Sequence, residues 1–190
     1  MRRIGIATPP TVAVGLTLLL GLVAGCGGGQ YGYARTYEPW GEEPTYLSRQ
    51  VDLSYEDVRR FPERHASDLI GWFGVVQEIE QLDRATGEAR LRLELRAHQE
   101  RHLCADETSG SCRVTVSERG IGPFTVLVTV RPADLVEGTG RLWAGSLVKV
   151  YGHVMDAGTE ESGPVLQADW YRHWPHGTFV TTGAAGSMRR

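Results

Sequence analysis

The chain has 190 residues, 20 Lys and Arg against 23 Asp and Glu, and a formal charge of −3. That length suits one domain of ordinary size with accessories, and the mixed charges exclude a basic surface built to follow phosphate backbones. No phosphate-cradling G-x-x-x-x-G-K, serine-elbow G-x-S-x-G or zinc-binding H-E-x-x-H motif is present.

The first element is a leader. Arg2 and Arg3 precede an uncharged run from Ile4 to Gly25, whose dense apolar part is "TVAVGLTLLLGLVA", residues 11–24. Such a run has the length of a signal-peptide apolar region and is short for a membrane span. It stops at Ala24, Gly25 and Cys26. Residues 27–50, "GGGQYGYARTYEPWGEEPTYLSRQ", show no apolar period and predict a flexible tether. Of its aromatics (Tyr31, Tyr33, Tyr37, Trp40 and Tyr46), some are expected to pack on the domain and the rest to sit near a wet–apolar border. The carboxylates of "GEE" (41–43) and of "TEESG" (159–163) fall in loops, where adjacent side chains diverge and form no acid–base couple.

Ser54 is placed to cap a short helix, "YEDVRRF", which Pro62 limits. Five strands then follow. The first, 68–83, is β-branched and aromatic, with Gly71 and Gly74 predicting bulges or bends. In the second, 89–98, Leu91, Leu93 and Leu95 alternate with Arg90, Arg92, Glu94 and Arg96, so one face is buried and one is wet. The third, 124–130, aligns Phe124, Val126, Val128 and Val130. A helical turn begins at Pro132. The fourth, 146–155, turns Val148, Val150 and Val154 inward and Lys149, Tyr151 and His153 toward solvent. The fifth, 165–174, puts Leu166, Ala168 and Trp170 on one side.

Five strands with a helical element between the third and fourth predict an all-β fold, a small OB-like Greek-key barrel. "CRVTV" (112–116) is a candidate sixth strand, which keeps a β-sandwich open. The expected divisions are a leader at 1–25, a tether at 26–53, the barrel at 54–180 and a flexible tail at 181–190.

Val23 to Cys26, "V-A-G-C", resembles the lipobox of bacterial lipoprotein precursors. The resemblance implies cleavage before Cys26 and acylation of that residue. Gly27, in place of the Asp associated with inner-membrane retention, points to the outer membrane and a domain facing the periplasm. Loss of Arg2 and Arg3 leaves 18 basic residues against 23 acidic ones, a mature charge near −5. Segments 61–81 and 132–156, including "GSLVKVYGHV" (145–154), together with a closing aromatic strand, resemble the Slp family of outer-membrane lipoproteins, which pair a lipobox with an OB-like barrel.

With Cys26 lipidated, Cys104 and Cys112 remain, and in an oxidising envelope their spacing suits a disulfide. Closing so small a ring contributes about 2–3 kcal/mol in the entropic account. The alternative is tetrahedral zinc on His98, His102, Cys104 and Cys112. His173 and His176 flank Pro175, which forbids a helical metal pair, and both are expected to be exposed. The ligand face of the barrel is expected at Arg90, Arg92, Arg96, Lys149, Tyr151 and His153, with the proviso that acidic cross-strand neighbours neutralise the arginines. The sequence-level expectation is a non-enzymatic, lipid-anchored envelope protein with no cofactor. Its partners are the membrane through its lipid and an envelope protein or glycan, not nucleic acid.

Overall fold

The computed structural model describes residues 33–106 and 110–188. The leader, Cys26 and Tyr31 lie outside the described residues. In chain order the elements are β1 (Tyr33–Thr36), α1 (Glu43–Leu47), α2 (Tyr55–Arg60), β2 (Ile70–Leu82), β3 (Glu88–Arg96), β4 (Arg101–Leu103), β5 (Thr115–Val116), β6 (Gly122–Thr129), α3 (Pro132–Leu135), β7 (Leu147–Asp156), β8 (Val165–Trp174) and β9 (Val180–Thr181). Short 3-10 turns occupy Pro62–His65 and Thr182–Gly186. Among the described residues no helix is long and apolar enough to cross a membrane.

The five long strands close into a barrel in the order β2-β3-β6-β8-β7. Every pairing is antiparallel except β6–β8, which is parallel and closes the cylinder. This is the OB-like barrel that strand count and order predict, with each strand within two residues of its expected bounds. The alternation of β3 holds: Leu91, Leu93 and Leu95 are buried, and they meet Phe124, Val126, Val128, Val150 and Leu166 in the interior. Ser54 caps α2 as expected, its hydroxyl accepting from the Asp57 amide at 3.1 Å.

Gly74 does not mark a bulge. A Cβ there would lie 2.6 Å from the Phe124 ring, so the glycine lets that ring approach the strand. The irregularities of β2 fall further along, between Val76 and Glu78 and between Ile79 and Gln81.

Trp170 is not inside. Tyr151 pairs with Trp170 and Gly152 with Ala168, so Asp169 is an extra residue in β8. One extra residue reverses the phase of a period-two strand. Leu166 and Ala168 therefore point inward before the bulge, Tyr171 points inward after it, and Trp170 stacks outside on Tyr46.

The tether and tail also differ from expectation. β1 pairs with β4, and residues 37–53 lie as a strap across the outside of the barrel. At the other terminus β9 pairs with β5 in parallel, and the turn after it donates a backbone hydrogen bond to Glu118. A second apolar cluster, Phe73, Val114, Val116, Leu147 and Trp174, fills the space between the barrel and these layers, with Tyr37 and Phe179 at its edge. The outer face of β2 and β7 thus carries buried Phe73 and Leu147 because it is covered. The insertion after β3 supplies β4 and β5, and Cys104 and Cys112 are within disulfide bonding distance across it. "CRVTV" contributes only the two-residue β5, outside the barrel.

Candidate functional site

The strap is fastened by one carboxylate. Pro44 fixes the backbone at the first turn of α1, which starts at Glu43, and the Glu43 side chain is fully buried against the barrel. Its Oε1 accepts from Tyr37 Oη at 2.5 Å, Tyr151 Oη at 3.1 Å and Lys149 Nζ at 3.1 Å. Its Oε2 accepts from the Trp40 amide and Arg172 Nη1, each at 3.1 Å. Lys149 is 4 % exposed, and its ammonium sits 4.7–5.0 Å from the ring centres of Tyr37, Phe73 and Tyr151.

Burial alone would raise the Glu43 pKa, but the hydrogen bond from Tyr37 and the charge of Lys149 outweigh it and hold the carboxyl below its usual range. Burial lowers the Lys149 pKa despite the pull of Glu43. Tyr37 and Tyr151 are both raised, first by burial and then by the neighbouring carboxylate. One carboxylate thus serves two cations and two phenols, and the cluster fastens the strap to the barrel.

Lys149 and Tyr151, expected on a wet strand face, are therefore buried: they point out of the barrel as the alternation requires, but the strap lies over them. His153, beyond the strap, is 3.3 Å from Asp169. The arginines of β3 are also engaged. Arg90 Nε donates to Glu80 at 2.8 Å. Arg92 binds Glu78, with Glu80 at 3.7 Å and Glu161 at 3.9 Å. Arg96 donates to the carbonyls of Ser117 and Glu118. The six residues expected to share a ligand face are thus divided between a buried fastening, a surface ion-pair ladder and the rim of a groove.

That groove, of about 740 Å³, runs between the strap and the ends of β2 and β3. Tyr37, Leu47, Leu53 and Phe73 give it apolar walls, and Lys149 reaches it from below. Asp52, Glu56 and Glu100 are exposed along it, as is Ile121. Gln50, Arg96 and His98 also line it, and each has a buried polar atom without a hydrogen-bond partner: Gln50 Oε1, Arg96 Nε and His98 Nε2. Gln50, Glu43 and Ile121 are the residues that sequence reasoning missed. Pro44 after two glutamates signals a helix start, but nothing local tells that Glu43 turns inward.

The His98 ring stacks on Phe73, with centroids 4.3 Å apart and planes 7° apart. Burial, then the charge of Lys149, lowers its pKa to about 4. Between pH 6.5 and 4 the unfolded chain therefore binds a proton at this residue that the native protein does not, and stability falls as pH falls through that window. His98→Phe keeps the stack and removes the titration. Urea melts across pH 4–7 should show a shallower loss of stability for the variant than for the wild type; parallel profiles would refute this assignment.

The zinc alternative needs free thiolates, and both sulfurs of its ligand set are at bonding distance from each other. Among the described residues no group of three or more His, Cys, Asp or Glu is arranged to hold a metal ion. His173 is not exposed: its ring is 3 % accessible and its Nδ1 lies 3.4 Å from Asp134, which also accepts from Tyr171 at 2.5 Å and Arg131 at 2.9 Å. Burial would raise the Asp134 pKa, but these donors outweigh it and lower it to about 2. The cluster ties α3 to β8 at the end of the barrel. No family model, curated protein or solved structure matches the chain.

Proposed function

We propose that this chain is a lipid-anchored protein of the cell envelope. Acylated Cys26 holds it at the outer membrane, and its OB-like barrel, facing the periplasm, is a binding module without catalytic activity. One observation carries the binding half: a groove with apolar walls is lined by Gln50, Arg96 and His98, and these are three of the six described residues with a buried polar atom that has no partner. Folded proteins pair nearly all such atoms, so three of them in the lining of one groove suit a ligand site. The clusters of titratable groups, Glu43 with Lys149 and Arg172 and Asp134 with Arg131, are ion-paired within the protein, which supports a role in holding structure. The anchoring half rests on the leader and on "V-A-G-C".

Labelling cells with an alkyne fatty acid tests the anchor. The wild type is expected to carry label and to fractionate with outer membrane. Cys26→Ser is expected to lose both label and cleavage of the leader. An unlabelled, cleaved and soluble wild-type protein would overturn the reading.

A further inference from the structure

We propose that the strap groove holds the acyl tail of a zwitterionic, ammonium-headed phospholipid from the membrane in which the protein is anchored. This rests on the reading that Cys26 is the lipid attachment point.

Reach is the first argument. Six residues separate Cys26 from Tyr33, where β1 begins, and those seven steps of chain span at most ~24 Å. A folded body of about 150 residues has a radius of gyration near 15 Å, so the start of β1 stays within one domain diameter of the bilayer surface. The groove wall continues directly from β1, through Thr36 and Tyr37. The cleft is therefore carried on the part of the domain that is tied closest to lipid.

The chemistry of the walls is the second argument. Tyr37, Leu47, Leu53, Phe73 and the half-exposed Ile121 suit a hydrocarbon tail, and the volume of about 740 Å³ lies within the range of small-ligand sites. Each CH₂ taken from water contributes about 0.8 kcal/mol, so a tail lying between these side chains is stabilised.

The polar groups select the head. Arg96 Nε is an unpaired donor and suits an ester carbonyl. Gln50 Oε1 is an unpaired acceptor and suits an ammonium N–H. His98 Nε2, in the neutral ring, serves as either. Asp52, Glu100 and Glu56, the last 3.7 Å from Arg60, lie along the groove and attract an ammonium, while the lining cations Lys149 and Arg96 are held by Glu43 and by the Ser117 and Glu118 carbonyls. A free fatty acid or an anionic phospholipid is accordingly the weaker occupant.

The acylated full-length mature protein, reconstituted in vesicles, tests this. The vesicles carry a trace of phosphatidylethanolamine with a diazirine in its acyl tail; a second set carries the same tail on phosphatidylglycerol. After irradiation, crosslinked peptides are expected from segments 47–56, 71–73 and 95–98, with the ethanolamine probe labelling at least fivefold more than the glycerol probe. Ala97→Trp, at an exposed lining position, is expected to cut labelling at least fivefold, while Met155→Glu, on an exposed site outside the groove, leaves it unchanged. Crosslinks scattered over the surface and indifferent to Ala97→Trp would overturn the site. Equal or stronger labelling by phosphatidylglycerol would overturn the head group. Intact mass of the same sample separates the two readings: acylated protein with no groove labelling refutes the lipid site alone, and groove labelling on protein without acyl mass refutes the anchor alone.

Discussion

Glu43→Ala is expected to lower stability by about 3–5 kcal/mol, the range for breaking a buried ion pair from one side. The substitution removes a carboxylate that is fully buried and leaves Lys149, 4 % exposed, with no counter-charge. Tyr37 and Tyr151 lose their acceptor at the same time. Against a total stability of ~5–15 kcal/mol, that is a large fraction. The loss has two possible forms, and hydrogen exchange separates them. If strap and barrel fold as one unit, protection falls throughout and the urea midpoint drops. If the strap detaches first, amides of residues 37–53 exchange while β2, β3 and β6 stay protected. Either outcome is consistent with the carboxylate as the fastening; an unchanged midpoint with unchanged strap protection is not. Glu43→Leu combined with Lys149→Met is expected to recover part of the loss, because an apolar pair of similar size needs no desolvation of charge.

This fastening marks the boundary of what the sequence discloses. The barrel was legible because its information is local and periodic: Leu91, Leu93 and Leu95 against Arg90, Arg92 and Arg96 fix a two-faced strand without reference to anything distant. Ser54 and Pro132 mark their helical turns by chemistry confined to one turn. The strap was not legible, because "YARTYEPWGEEPTYLSRQ" has no period and its order comes from contacts across the chain. Glu43 and Tyr151 are 108 residues apart, and Tyr37 and Arg172 are 135 apart. The alternation of β7 correctly turned Lys149 and Tyr151 out of the barrel, but a periodic pattern reports direction and not what lies beyond it. The bulge at Asp169 shows the same limit within a strand, since one unpaired residue carries Trp170 out and Tyr171 in without any change in composition. Of the expected ligand face, only the Arg96 and Lys149 positions reach the groove. Two of its other polar members, Gln50 and His98, belong to segments that read as tether and strand end.

Phe124→Ala is expected to cost about 3–5 kcal/mol, as other large-to-small aromatic changes in cores do. Phe124 is fully buried at the centre of the barrel and meets Trp72 edge to face, with centroids 5.5 Å apart. Its removal forfeits both the transfer of the ring out of water and the packing around it, because a closed barrel cannot collapse far onto the gap. Gly74 supplies an internal check. In the wild type, Gly74→Ala sets a methyl 2.6 Å from the Phe124 ring, and overpacking of this kind costs about 1–3 kcal/mol. With the ring gone that clash disappears, and the methyl occupies part of the space. The Leu93 Cβ, 2.9 Å from the same point, still resists, so relief is incomplete. The two substitutions should therefore be less harmful together than their separate costs predict, by about 0.5–3 kcal/mol, the usual range for residues in contact. Chemical denaturation of the wild type, both single variants and the double variant measures this coupling. Simple additivity would mean that Gly74 and Phe124 do not share the space assigned to them.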